Sequence, residues 1–288
     1  MNWLAQATIL KVLWGSRAFG TSDADSDVDV RGICIPPRRY LIGLSHFEQS
    51  EDRTNDTVIY SLSKFVNLAM ANNPNMLDLL WTRDEDILFI DEYGVELRNH
   101  RDLFLSQQVA RTYAGYAESQ IQRMETHYRW LHEPPSHQPT PEEFGAEPHQ
   151  RGGVRFPNTH QERAFRAANK HWQNYQKWRA ERNPERSALE ERHGYDTKHA
   201  LHLLRLYRMG IEILREGFVH VYRPDAKWLL QVKEGLFTYP ELCVLIDDLK
   251  AELTAAEATT SLPPVPDRVK IEELLVSLHW NAMQSGRA

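Results

Sequence analysis

Trp14-Gly15-Ser16-Arg17-Ala18-Phe19-Gly20, followed after a turn-rich stretch by Asp27-Val28-Asp29-Val30, carries the strongest structural signal in this 288-residue sequence. The apolar run Ile9 to Trp14 reads as a buried strand that ends in a tight turn at Gly15-Ser16. Gly20, Thr21, Ser22, Asp23, Asp25 and Ser26 make the next stretch a loop. From Asp27 to Ile35 polar and apolar residues alternate until Pro36-Pro37, which predicts a strand. A period of two puts Asp27 and Asp29 on one face and Val28 and Val30 on the other. Two carboxylates held side by side repel unless a cation lies between them. Gly15 lets a backbone approach a phosphate closely, and Ser16 adds an N–H and a hydroxyl. Arg17 is placed either to clamp a phosphate or to pair with Asp23 or Asp25.

This pattern resembles the DNA polymerase beta-like nucleotidyltransferase superfamily. Its signature is an apolar residue, Gly, then Gly or Ser, about ten residues, and Asp-apolar-Asp/Glu-apolar. The resemblance implies transfer of a nucleoside monophosphate from an NTP, with Mg²⁺ or Mn²⁺ at Asp27, Asp29 and a third carboxylate. Asp56, at the head of a strand candidate running to Ser61, takes that third role, with Glu51 and Asp52 as competitors. The segments Asn73-Pro74-Asn75-Met76-Leu77-Asp78 and Tyr195-Asp196-Thr197-Lys198-His199-Ala200-Leu201-His202 are similar to a narrower group. These are the predicted nucleotidyltransferases found beside RNA ligases, which implies an RNA end as acceptor, in tRNA or in RNA repair. Nucleotidylation of a protein or small molecule, and a non-catalytic antitoxin-like binding protein, are the competing readings.

Outward from the motif, Leu62, Phe65, Val66, Leu68 and Ala69 have helical spacing until Asn72-Asn73-Pro74-Asn75 breaks it, and Leu77 to Trp81 opens a new apolar segment. Beyond about residue 100 helical patterns dominate: Gln107–Leu131, Glu162–Arg182, Thr197–Glu216, Glu241–Ala258 and Val269–Met283. The expected fold is α+β. A small mixed-sheet catalytic core fills residues 1–100, and a mainly helical domain follows over 101–288. A stretch at about 133–160, rich in Pro, Gly, His and Gln, reads as a surface loop.

On the helix from Thr197, Lys198, His202, Arg205 and Glu212 share one stripe among leucines and isoleucines. Such a stripe needs a polar partner. A triphosphate or an RNA backbone fits, making Lys198, His202 and Arg205 candidate nucleotide-binding residues; a network with neighbouring carboxylates fits as well. Between His160 and Trp178 basic residues alternate with rings, which suits either stacking on RNA bases or inward packing of an amphipathic helix.

The net charge is −6, yet residues 151–215 hold about twice as many Lys and Arg as Asp and Glu. Two distant cysteines, Cys34 and Cys243, exclude a disulfide scaffold and a cysteine zinc site. His199 and His202 lack a third ligand nearby in sequence, which argues against zinc on histidine. No apolar stretch reaches the roughly 18 residues of a membrane span, and Lys11 interrupts the apolar start. A cytoplasmic protein is expected.

Overall fold

A single turn, α1 (Leu4–Ala7), leads into β1 (Thr8–Trp14), in which Ile9, Leu10 and Val12 are wholly buried. The computed structural model describes residues 3–23, 26–149 and 152–287. Gly15 ends β1 at φ +69 and opens the short helix α2 (Gly15–Phe19). β2 (Asp29–Cys34) returns antiparallel to β1, with Trp14 opposite Asp29. After α3 (Arg38–Leu41), the hairpin of β3 (Gln49–Asp52) and β4 (Thr57–Ser61) lays β4 parallel to β2. β5 (Ile87–Ile90) closes the other edge beside β1, giving the order β3-β4-β2-β1-β5. The mixed five-stranded sheet followed by helices is the α+β arrangement the sequence predicts.

The helices that follow the sheet strands have local causes. Ser61 caps α4 (Leu62–Met70) by accepting from the Lys64 amide, and Leu62, Phe65, Val66 and Ala69 form its buried face. Asn72, at φ +53, lies just past the end of α4, where its buried amide side chain donates to the Phe104 carbonyl and accepts from the Ser106 hydroxyl. Asn73 then caps α5 (Pro74–Trp81), with proline at its first position. The Asn-Asn-Pro segment is therefore a punctuation between two helices.

α6 (Glu92–Asn99) and α7 (Gln108–His132) follow. The loop predicted near 133–160 contains a two-stranded ribbon, β6 (Glu147–Pro148) and β7 (Val154–Arg155). It ends at α8 (Thr159–Glu181), followed by α9 (Pro184–His193) and α10 (Thr197–Glu216). α11 (Ala226–Lys233), α12 (Tyr239–Thr259) and α13 (Arg268–Gln284) complete the chain. No helix among the described residues is long and apolar enough to cross a membrane.

The expected boundary at residue 100 is not where the packing divides. Residues 1–120 together with 201–288 make one compact unit, and 121–200 make the other. In the first, α13 packs on α4, and Asp267 and Gln107 tie the closing segment to the chain near Leu103 and Pro263 through main-chain bonds. In the second, the aromatics of α8 turn inward. Trp130 of α7 meets Tyr175 and Trp178 at 5.9 and 5.2 Å, and His171 accepts from its indole N–H.

Candidate active site

The turn between β1 and β2 is shaped around one carboxylate. A Cβ built on Gly15 would overlap Asp29 Oδ2 and lie 3.1 Å from Asp29 Cγ. Only glycine tolerates both this approach and the positive φ. The short helix α2 has no side-chain cap on its first turn. At its other end Gly20, at φ +72, donates to the Arg17 carbonyl, and Thr21 donates to the Ser16 carbonyl at 2.9 Å. A Cβ on Gly20 would lie 2.7 Å from the Tyr222 ring, and the guanidinium of Arg83 covers that ring at 3.9 Å. Ser16 is half-buried at the start of this closed turn.

β2 begins at Asp29, two residues later than the alternation predicts, and Asp27 is exposed in the preceding loop. Val28 is 50% exposed whereas Val30 is buried, so the period of two holds only from Asp29 inward. Arg17 reaches the acidic loop, though through the loop's main chain. It donates to the main-chain carbonyls of Ser26 (2.8 Å) and Asp27 (3.3 Å), and so holds the acidic loop by its backbone. Asp23 instead pairs with Lys233 at 2.7 Å, and that bond helps hold its carboxyl down at about 2. Asp25 lies outside the described residues.

The neighbouring hairpin brings the main chain of Asp56 beside β2. In the parallel register Val30 faces Thr57, and the Val30 amide donates to the Asp56 carbonyl at 3.0 Å. Asp56 is exposed, at φ +42, where the hairpin enters β4. Its two competitors separate by what they touch. Asp52 accepts from the amides of Thr54 and Asn55 and from the Asn55 side chain, bonds that hold its carboxyl below the usual range and close the hairpin. Glu51 sits opposite Val58, which itself pairs with Arg31, so alternation puts Glu51 on the sheet face of Asp29 and Arg31. Arg31 Nη2 lies 3.7 Å from Asp29 Oδ1, and its guanidinium covers Trp14 at 4.7 Å.

The stripe on α10 does not stay together. Lys198 is exposed within the 121–200 unit, His202 is half-buried, and Arg205 is buried at 6% exposure. Arg205 covers the Phe19 ring at 3.7 Å and meets Asp78 of α5 at 3.5 Å. Burial raises the Asp78 carboxyl to about 6, and the same burial lowers Arg205. Glu212 receives a bidentate contact from Arg223, at 2.5 and 2.7 Å. For Arg205 and Glu212 the carboxylate network is thus what the structure contains. Phe19 belongs to α2, so Arg205 supports the glycine turn from behind.

Of Asp27, Asp29 and Asp56, Asp29 is the one whose carboxylate lies against the glycine turn, and the three are not drawn into one close cluster. Residues 4–137 match the RNA repair pathway DNA polymerase beta family. The match covers every element from β1 to α7 that builds the turn, and it bears out the resemblance carried by Gly15, Ser16, Asp27 and Asp29. The chain is also 32% identical over 129 residues to an uncharacterized 38.9 kDa protein of the nrdC-mobD intergenic region of Enterobacteria phage T4. That alignment covers 40% of this chain and 38% of the phage protein, so the two share about two-fifths of their lengths. No solved structure matches the chain.

Proposed function

We propose that this protein moves a nucleoside monophosphate from an NTP to a hydroxyl at an RNA end, as a polymerase-beta-type nucleotidyltransferase acting in RNA repair. The observation that carries the reading is the contact of Gly15 with the Asp29 carboxylate, inside the stretch that matches the family. Gly15 and Ser16 open a helical turn without a side-chain cap, and their amides are the groups to receive the triphosphate. Asp27, Asp29 and Asp56 would hold Mg²⁺, or Mn²⁺ in its place, which when bound offsets the charge developing on the phosphates. In the transfer the acceptor oxygen bonds to the α-phosphorus, the bond to the pyrophosphate oxygen breaks, and the hydroxyl proton passes to a carboxylate, in this reading Asp56. Arg17 would hold the loop that carries Asp27 through its bonds to the Ser26 and Asp27 carbonyls. Arg31, 3.7 Å from Asp29, fixes that carboxylate against the turn.

RNA as acceptor has separate support in α8. Arg163, Arg166, Lys170 and Lys177 are exposed and fall within one stripe of the helix, while the aromatic residues pack on the other side. The test is incubation of the full chain with each α-labelled NTP, Mg²⁺ and RNA bearing free ends. Label should pass to the RNA, should vanish with Asp29→Ala, and should fall steeply with salt when Lys170 and Lys177 are intact. Label on protein or on a small acceptor instead would replace RNA in the reading. No transfer from any NTP would overturn it.

A further inference from the structure

We infer that the 121–200 unit carries a second metal site, for one divalent transition ion of the zinc class, formed by His127, Asp196 and His199. His127 comes from α7, Asp196 directly precedes α10, and His199 lies in the first turn of α10. One ligand atom from each lies within 4.8 Å of the other two. His127 Nδ1 is 3.2 Å from Asp196 Oδ2, and His199 Nε2 is 3.5 Å from the same oxygen. Ligand atoms bound at about 2.0–2.1 Å in a tetrahedron are separated by roughly 3.3–3.4 Å. Both distances lie near that edge length, and the longer one exceeds the usual range of an N–H···O bond.

The surroundings have the form of a support for such a site. The His199 amide donates to Asp196 Oδ1 at 3.0 Å, which turns Oδ2 toward the two imidazoles. Trp130 stacks on the His127 ring at 5.6 Å with a 21° tilt, and Trp178 lies 5.4 Å from the same ring. These rings wall the group with apolar surface. Asp196 is wholly buried and Glu190 is 2% exposed beside it, while Arg182 bonds Glu190 at 2.8 Å. Two nitrogens and one carboxylate oxygen select zinc-class ions over Mg²⁺, which prefers oxygen alone. The absence of a zinc pattern in the sequence has a simple cause, since His127 stands 69 residues before Asp196. This site is separate in its residues from the carboxylates at Asp29.

The test uses the full chain, stripped with chelator and titrated with Co²⁺ and then Zn²⁺. One equivalent of Co²⁺ should give the visible bands of a four- or five-coordinate ion with nitrogen and oxygen donors, and Zn²⁺ should displace it. His127→Gln and His199→Gln should each weaken binding at least about tenfold, while Asp27→Ala with Asp29→Ala leaves it unchanged. Asp196 is avoided because its bond to the His199 amide serves the helix start as well. The wild-type Co²⁺ spectrum decides the matter even where a histidine variant fails to fold. A weak, six-coordinate spectrum, the lack of a stoichiometric ion, or wild-type affinity in both histidine variants would overturn the proposal.

Discussion

Asp29 and Asp78 occupy the same 1–120 segment, and their settings are opposites. Asp29 stands at the end of a strand, partly exposed, with a glycine against its carboxylate and an arginine 3.7 Å away. Asp78 lies mid-helix with no exposure at all, facing Arg205 from a helix more than a hundred residues later. The first is set by residues near it in sequence, Gly15 and Arg31, and keeps part of its surface in solvent. The second is set by tertiary packing and has none. Charge near a turn can serve chemistry, whereas the same charge in the core serves the arrangement of helices, at a desolvation penalty.

The largest effect that would sharpen this contrast is on activity. Asp29→Ala should lower nucleotide transfer by about four orders of magnitude, about 5.5 kcal/mol of barrier, while stability moves by less than about 1 kcal/mol. Single-turnover assays and thermal melts on the same preparation check both halves. Near-normal transfer would remove Asp29 from the catalytic role.

Asp78→Ala should do the reverse. It strands a buried guanidinium and should destabilise the fold by about 3–5 kcal/mol, seen in denaturant unfolding. The pH dependence carries a sign of its own. Burial raises this carboxyl from 3.8 to about 6, so the folded state holds the proton more tightly than the unfolded one. The stabilising contribution is complete below about pH 4 and is lost as pH climbs through about 6. Wild type should therefore lose stability relative to Asp78→Asn across that window, and a flat difference would break the comparison.

Gly15→Ala joins the two settings. The added methyl meets the Asp29 carboxylate from a backbone at positive φ, so about 2–3 kcal/mol of stability should be lost together with NTP use. Retained activity with a shifted Asp29 would show that the close approach is not needed. Ser16→Ala should raise the NTP requirement by the worth of one charged hydrogen bond, about 1.5 kcal/mol, because backbone amides share the contact. An unaltered NTP affinity would take Ser16 out of the cradle. Asp52→Ala is the smallest change: a slight loss of hairpin stability with transfer retained. Loss of transfer there would exchange the roles of Asp52 and Asp56.

What the sequence disclosed divides along the same line. The β1 strand, the glycine turn, the break at Asn72–Asn75 and the long helix from Thr197 to Glu216 follow from local rules, and their bounds fall within a residue or two of expectation. Arg17, Arg205 and His127 did not reveal their partners. Arg17 uses main-chain carbonyls, which every residue carries and no motif marks. Arg205 lies on a polar stripe whose helical period shows that a partner exists but not that it is Asp78. β3 and β5 are short edge strands with little apolar alternation, and their pairing depends on the strands beside them.

The matched stretch ends at residue 137, yet Arg205, which faces the buried Asp78 and covers Phe19 of α2, comes after residue 200. The matched stretch and the packing therefore divide this chain at different places. A fragment ending at residue 137 would carry the whole motif and still lack the cation that its buried Asp78 faces. What evolution or an engineer can exchange as a cassette is the middle, residues 121–200, since the segments on either side of it belong to one unit. Under the proposed function, swapping that cassette should move RNA preference while leaving nucleotide transfer at the Asp29 turn in place.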